Sequence, residues 1–298
     1  MKILLFGAQG QVGLALQQRL KDGHELVALG RAQVDLTDPI QIIDAININS
    51  PDLIINAAAY TAVDLAEEDQ QTCFAVNAIA PKVMAEHAAS NNVALIHYST
   101  DYVYDGTSSL PYKETDKTNP MGVYGQSKLE GDLAVIDSGA GALIFRTSWV
   151  YGETGKNFYL TMRRLLQERD ELKVVDDQIG TPTLATAIAD ATVEIINQGQ
   201  NDIRGFISQH SGLYNMTCGG ETSWYGFACA IADELKKSTS KTAKLIPIPT
   251  SDYPTPAKRP AYTVLDNSKL LKTFSVKLPD WLLGLTQGSW ALGSDPDK

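Results

Sequence analysis

The chain has 298 residues, 44% of them hydrophobic and 20% charged, enough for one large or two modest domains with a real core. Its net charge is −10 and its 25 basic residues form no long run, which argues against nucleic acid as a partner; an anionic small molecule would need local donors such as a helix N-terminus or a single arginine. No apolar run approaches the about 20 residues of a membrane helix, and the opening Met1–Phe6 stops at Gly7, so the expectation is a soluble, cytoplasmic chain that begins with a strand and needs no membrane.

Residues 2–6 are a mostly apolar run, the pattern of a strand buried in a parallel sheet. Gly7-Ala8-Gln9-Gly10-Gln11-Val12-Gly13 follows, and residues 11–21 space Val12, Ala15, Leu16 and Leu20 along one helix face. Such a glycine loop between first strand and first helix permits a tight turn and close backbone approach, with the helix N-terminus facing a pyrophosphate. Gly7 and Gly10 are therefore candidate dinucleotide contacts. The second strand, Glu25–Leu29, runs into Gly30-Arg31. The acid that would hold the ribose 2′-hydroxyl of NAD is absent at Gly30. Arg31 next door either pairs with the 2′-phosphate of NADPH or stands solvated in a turn; NADPH is favoured and NADH is the alternative.

A helix over 39–48 starts at Asp38-Pro39, Asp52–Ile55 is a third strand, 69–90 a helix, Val93–Tyr98 a fourth strand, 122–136 a helix and Leu143–Arg146 a fifth strand. This alternation predicts an α/β fold with a Rossmann-type doubly wound parallel sheet. After about residue 150 the pattern loosens. Gly, Pro and Thr gather at 177–183 and prolines crowd 247–260. The expected organisation is a dinucleotide-binding domain over 1–150 and a smaller substrate-binding region over 151–298, with a helix near 184–197 returning to the first domain.

Tyr124-Gly125-Gln126-Ser127-Lys128 lies on the helix after the fourth strand. Tyr and Lys four apart share a helix face, a pairing common enough on surfaces to mean little alone. Its place at the carboxyl edge of the sheet, where α/β sites form, gives it weight. A phenol titrating near 10 is a poor acid at pH 7, and a neighbouring ammonium lowers that value into a useful range. Lys128 can also hold a ribose hydroxyl of the cofactor. The fourth strand runs into Ser99-Thr100-Asp101-Tyr102, and a hydroxyl such as that of Thr100, leaving the strand at that edge, can polarise a substrate carbonyl for hydride attack. Thr100, Tyr124 and Lys128 form a coherent catalytic set.

The glycine loop, Asn56-Ala57-Ala58-Ala59, Ser99-Thr100-Asp101-Tyr102-Val103 and Tyr124…Lys128 together resemble the extended short-chain dehydrogenases. Arg146-Thr147-Ser148-Trp149-Val150-Tyr151, Asp177-Gln178-Ile179-Gly180-Thr181-Pro182-Thr183 and Arg259-Pro260 are similar to segments of the dTDP-4-dehydrorhamnose reductase family. The likeness runs from Met1 to about Phe274. It implies NAD(P)H-dependent reduction of dTDP-4-dehydro-L-rhamnose to dTDP-L-rhamnose, the last step of that sugar-nucleotide pathway, with the nucleotide sugar as the small-molecule partner. It also implies that Gly10, Gln11 and Val12 contact the pyrophosphate, Asp35 and Leu36 border the adenine, and Ala58, Ala59, Tyr60 and Thr61 line the cofactor. Thr100, Asp101, Tyr102, Tyr124 and Trp149 would face the sugar, where an indole can pack on the deoxysugar's apolar side. Asn157, Gln178 and Arg259 would serve the diphosphate end, Arg259 with a bidentate fork.

Two rivals share these motifs. Nucleotide-sugar dehydratases tend to follow the threonine with Asp-Glu, whereas here Asp101 precedes Tyr102; epimerases show no net consumption of reduced cofactor. A non-enzymatic regulatory subunit, as in methionine adenosyltransferase, is the third reading, against which Thr100, Tyr124 and Lys128 speak. Family members that dimerise through magnesium carry a glutamate early in the first helix. Ala15 stands there, which puts Mg2+ in doubt and leaves monomer and homodimer both open. Cys73, Cys218 and Cys229 suit neither a disulfide framework nor a zinc site and are expected to be buried thiols. The four histidines are expected to be structural, with His97, at the end of a buried strand, the one to check for a site role, and the last dozen or so residues, with Gly293–Lys298, to form a mobile tail.

Overall fold

The apolar runs of the first half become strands because both of their faces are covered. In the computed structural model, which describes residues 1–239 and 242–287, β1 (Lys2–Phe6), α1 (Gln11–Leu20), β2 (Glu25–Leu29), α2 (Pro39–Asn49) and β3 (Leu53–Asn56) open the chain. They are followed by α3 (Val63–Ala66), α4 (Gln70–Phe74), α5 (Ala80–Asn91), β4 (Ala94–Thr100), α6 (Val123–Asp137) and β5 (Ala142–Thr147). Beyond them come β6 (Val150–Tyr151), α7 (Phe158–Glu168), β7 (Glu171–Val175), β8 (Ile179–Gly180), β9 (Thr183–Leu184), α8 (Ala185–Gln198), α9 (Ile203–Gln209) and β10 (Gly212–Asn215). The last named here are β11 (Thr222–Ser223), α10 (Trp224–Lys236) and β12 (Lys244–Ile248). The stretch from Gly293 read above as a tail lies outside the described residues.

Six parallel strands form the central sheet in the order β2-β1-β3-β4-β5-β10. Alternate side chains of β1 feed two cores. Ile3 and Leu5 pack with Leu16 of α1 and Ile188 and Ile195 of α8, while Leu4 and Phe6 pack with Ile42 and Ile46 of α2, Met84 of α5 and Val135 of α6. The chain leaves β1 towards β2 on one side and returns to β3 on the other. The carboxyl ends of β1 and β3 therefore flank a crevice of the kind in which α/β sheets bind ligands. The sheet also takes a strand from beyond residue 150, since β10 pairs with β5, and α8 lies against α1.

Two elements depart from the sequence reading. β4 runs to Thr100, whose register partner is Thr147 of β5, so Ser99 and Thr100 are the end of a strand rather than the start of a loop. The helix expected over 69–90 is interrupted by a π-turn at Ala75–Ile79. Pro81 explains it. Proline has no N–H to give the carbonyl of Asn77, four residues earlier, and its ring crowds that carbonyl. The freed oxygen of Asn77 faces α6, where a Cβ on Gly131 would lie 2.1 Å from it. Among the described residues no helix is long and apolar enough to cross a membrane.

Candidate active site

The crevice begins with the glycine loop. Gly7 has φ +82°, and a Cβ there would sit 2.5 Å from the backbone nitrogen of Ala58, so only glycine lets the loops after β1 and β3 meet. α1 starts at Gly10 without a side-chain cap, which leaves its first N–H groups for an anion. These features fit a dinucleotide pyrophosphate. Val12 turns its side chain into the core, so its backbone is what faces the crevice. Gln11 donates to the carbonyl of Val150 at 3.4 Å and accepts from Asn157 Nδ2 at 2.8 Å. Asn157 also donates to Gly152 O at 2.9 Å, and its Oδ1 caps α7 by accepting from Leu160 N at 2.9 Å. Its polar atoms are all engaged. Asn157, expected at the substrate diphosphate, instead braces the cofactor loop.

At the end of β2, Gly30 N–H donates to Gln33 Oε1 at 2.9 Å, and Arg31 is exposed with no ion pair among the described residues. Asp35 accepts from the backbone N–H and hydroxyl of Thr37, which hold its carboxyl below the usual range. Leu36 beside it is half-buried. After β3, Ala58 N–H donates to Asn56 Oδ1 at 3.2 Å. Asn77 then clasps the backbone of Tyr60, accepting from its N–H at 2.8 Å and donating to its carbonyl at 3.1 Å. The π-turn thus fixes the segment Ala58–Thr61 along the crevice.

Thr100, Asp101, Tyr102 and Tyr124 come together at the carboxyl end of β4. The Tyr124 hydroxyl lies near enough to that of Thr100 to feel its polarity, and the Thr100 hydroxyl donates to Asp101 Oδ1 at 3.0 Å. Tyr102 packs edge-on against Tyr124, ring centroids 5.6 Å apart. Burial holds the Tyr124 phenol well above its ordinary value, with the Thr100 hydroxyl opposing and the Asp101 carboxyl adding. Burial likewise pushes Asp101 up to about 7. The expected lowering of the phenol by Lys128 is not what the structure shows. Lys128 is 1% exposed, and its Nζ donates to the carbonyl of Tyr98 at 2.6 Å instead. Burial brings it down to about 8, against the pull of Asp132 and Cys73. Tyr124 is therefore a protonated phenol at neutral pH, the form a proton donor requires.

The segments around Trp149 and Gln178 are joined. Thr183 N–H donates to Trp149 O at 3.2 Å and Ser148 Oγ to Thr181 O at 2.8 Å. Trp149 has φ +44°; its indole stacks on Trp224, centroids 3.5 Å apart, and a Cβ on Gly180 would fall 2.5 Å from it. Gln178 is buried and donates to Thr250 Oγ1 at 3.0 Å. Arg259 Nη2 donates to Asp64 Oδ2 at 2.8 Å, while its Nη1 is buried without a hydrogen-bond partner among the described residues, a donor left over for an anion. Ala15 is buried in the core beneath α8 and offers no donor atom, so the position does not fit a magnesium ion.

Residues 1–292 match the family model described as RmlD substrate binding domain. The chain is 46% identical over 285 residues to a dTDP-4-dehydrorhamnose reductase of Burkholderia thailandensis, covering 94% of this chain and 95% of that one. This chain belongs to the dTDP-4-dehydrorhamnose reductase family. A crystal structure of a dTDP-4-dehydrorhamnose reductase from Clostridium acetobutylicum superposes with a TM-score of 0.88 at 37% identity, over 98% of this chain and 99% of that one. A second, from Bacillus anthracis and in complex with NADP, gives 0.85 at 31% identity, over 96% and 97%. The family's solved members share the parallel α/β fold described above.

Several residues of this reductase-family site were given no role from sequence. His97 is 0% exposed, and Nε2 lies 3.4 Å from Lys128 Nζ. Asp132, one helical turn beyond Lys128, receives Arg146 Nε and Nη2 on Oδ2, each at 3.1 Å. Asn77 and Asp64 hold the two loops that border the crevice. The available signal was polarity in the wrong place: Asn56 ends the apolar run of β3, His97 follows the apolar run Ala94–Ile96 of β4, and Lys128 and Asp132 share one helix face. Of the three thiols, Cys73 and Cys218 are buried, whereas Cys229 is half-exposed.

Proposed function

We propose that this protein reduces the C4 keto group of dTDP-4-dehydro-L-rhamnose to give dTDP-L-rhamnose, with NADPH as the preferred cofactor. The observation that carries the reading is the cluster of Thr100, Asp101, Tyr102 and Tyr124 at the carboxyl end of β4, with Lys128 buried one helical turn beyond Tyr124. A bound nicotinamide supplies the hydride. Thr100 and Tyr124 converge on one point, where the C4 oxygen of the sugar accepts from both. Charge that develops on that oxygen is met by the Tyr124 hydroxyl and by that of Thr100, which turns its one proton from Asp101 to the substrate, and Tyr124, kept protonated by its burial, gives up its proton. Lys128 stands on the cofactor side, where its ammonium holds a ribose hydroxyl and stabilises the phenolate left behind. Asp101 and Tyr102 close the pocket around the sugar, Trp149 offers its free edge to the apolar side of the ring, and Gln178 and Arg259 serve the diphosphate.

Cofactor binding rests on Gly7, Gly10, Gln11 and Val12 at the pyrophosphate, on Arg31 beside Gly30 at the 2′-phosphate, on Asp35 and Leu36 at the adenine, and on Ala58–Thr61 along the ribose and nicotinamide. Residues 1–150 carry these contacts and also those of Thr100, Asp101, Tyr102, Tyr124 and Trp149 with the sugar, and the region from 151 supplies Gln178 and Arg259. Oxidation of NADPH, followed by its absorbance with dTDP-4-dehydrorhamnose generated in the cuvette, tests the reading. Stoichiometric oxidation is expected, and Arg31→Ala should cut the NADPH over NADH preference by about tenfold, the loss of one charge-assisted contact. Conversion of a nucleotide sugar without net NADPH consumption would make the protein an epimerase. A purified protein that binds cofactor but turns over no sugar would make it a regulatory subunit.

A further inference from the structure

The strand register sets Asn56 of β3 beside His97 of β4, and both side chains are buried. The bond from Ala58 N–H fixes the orientation of the Asn56 amide, and the amide fixes the assignment of the ring. Ala58 N–H donates to Asn56 Oδ1, so the amide group of Asn56 is what faces His97 Nδ1, at 3.1 Å. An imidazole that accepts at Nδ1 and is kept neutral by burial carries its proton on Nε2. That N–H points at two groups of α6: Lys128 Nζ at 3.4 Å and Asp132 Oδ1 at 3.9 Å. Two N–H groups cannot bond to each other, so the ammonium turns its protons to the carbonyl of Tyr98, 2.6 Å away, and the ring N–H faces Asp132 Oδ1 across 3.9 Å, beyond hydrogen-bond distance.

We propose that His97 is a positioning residue of the reductase: held in the Nε2–H tautomer by Asn56, it fixes the Lys128 ammonium against Tyr98 O and links the lysine to the cofactor loop at Ala58. The inference rests on Lys128 being the cofactor-side cation of the reaction proposed above. The link is a short chain of contacts from Ala58 N–H through Asn56 and His97 to Lys128. A shift of the loop on cofactor binding reaches the lysine through it. The other ionisable groups around Lys128 are Asp132 on its own helix, Cys73 from α4, and Arg146 of β5 behind Asp132.

The test is the alkaline limb of the pH profile of kcat/KM, measured with NADPH and dTDP-4-dehydrorhamnose. His97→Asn removes the ring N–H and admits water, which favours the charged lysine; its limb should move up by about half a unit or more. His97→Phe keeps the volume and removes every polar atom, which disfavours the charged lysine; its limb should move down by a similar amount. A histidine that only fills space would lower the plateau and leave both limbs in place, and coincident limbs in all three enzymes overturn the proposal. Lys128→Met with unaltered turnover would instead sink the catalytic reading on which it rests. If neither His97 variant folds, 15N-labelled histidine in the wild-type protein decides. The imidazole that does not titrate should show Nε2–H, with its Nε2 resonance moving as Lys128 loses its proton. An Nδ1–H tautomer, or a resonance flat over that range, contradicts the proposal.

Discussion

Arg259 and Asp64, 195 residues apart, meet at 2.8 Å across the mouth of the crevice. Asp64 belongs to α3, just after the cofactor segment 58–61, and its other oxygen accepts from Ala257 N at 3.2 Å. One carboxylate thus ties the proline-rich loop at Ala257 and Arg259 to α3. It also leaves Arg259 Nη1 buried and without a hydrogen-bond partner among the described residues, the donor proposed above for the diphosphate.

Arg259→Ala should therefore raise KM for the nucleotide sugar by about 10- to 100-fold, the value of charge-assisted hydrogen bonds to an anion, and leave the NADPH Kd unchanged. Steady-state kinetics with a fluorescence titration of NADPH separates the two. Equal losses for sugar and cofactor would place the arginine elsewhere in the mechanism.

The Trp149 side chain is fitted to a glycine. Gly180→Ala would place a methyl 2.5 Å from the indole, against backbone that cannot retreat because Thr183 N–H is bonded to Trp149 O. The expected result is a displaced Trp149, a change in tryptophan emission, and a fall in kcat/KM of about tenfold or more with stability lowered by about 1–3 kcal/mol. Unchanged kinetics in a Gly180→Ala enzyme would remove Trp149 from the sugar site.

Asp101 and Lys128 give the stability opposite slopes against pH. Asp101 titrates at about 7 in the fold, against about 3.9 unfolded. Between those values the folded state binds more protons, so stability falls as pH rises. Lys128 titrates at about 8 in the fold, against about 10.4 unfolded. There the unfolded state binds more protons, so stability rises with pH over that window. Asp101→Asn should abolish the first slope, with a gain of up to about 4 kcal/mol at pH 8 and none at pH 4 in urea melts. A gain of the same size at both pH values would mean the slope has another source.

Much of this was readable from the chain because physics writes it locally. Strands buried on both faces must be apolar throughout, so β1, β3 and β5 announced themselves, and a glycine loop beside a helix start needs no tertiary information. Thr100, Tyr124 and Lys128 were found from their places relative to those elements. What depended on packing was not legible. The π-turn follows from Pro81, but its use, Asn77 clasping Tyr60, required the fold. His97 looked like core until the register set it beside Asn56 and α6 brought Lys128 over it. Asn157 looked like a ligand-binding side chain until its hydrogen bonds to Gln11, Gly152 and Leu160 were in view.

The central claim is that Tyr124 gives the proton to a sugar ketone during reduction. Single-turnover oxidation of enzyme-bound NADPH at saturating dTDP-4-dehydrorhamnose, wild type against Tyr124→Phe, tests it most directly. The account predicts a rate lower by about 10²–10⁴ with the NADPH Kd held within about twofold, the loss of a general acid and nothing else. A Tyr124→Phe enzyme that keeps more than about a tenth of the wild-type rate would contradict it.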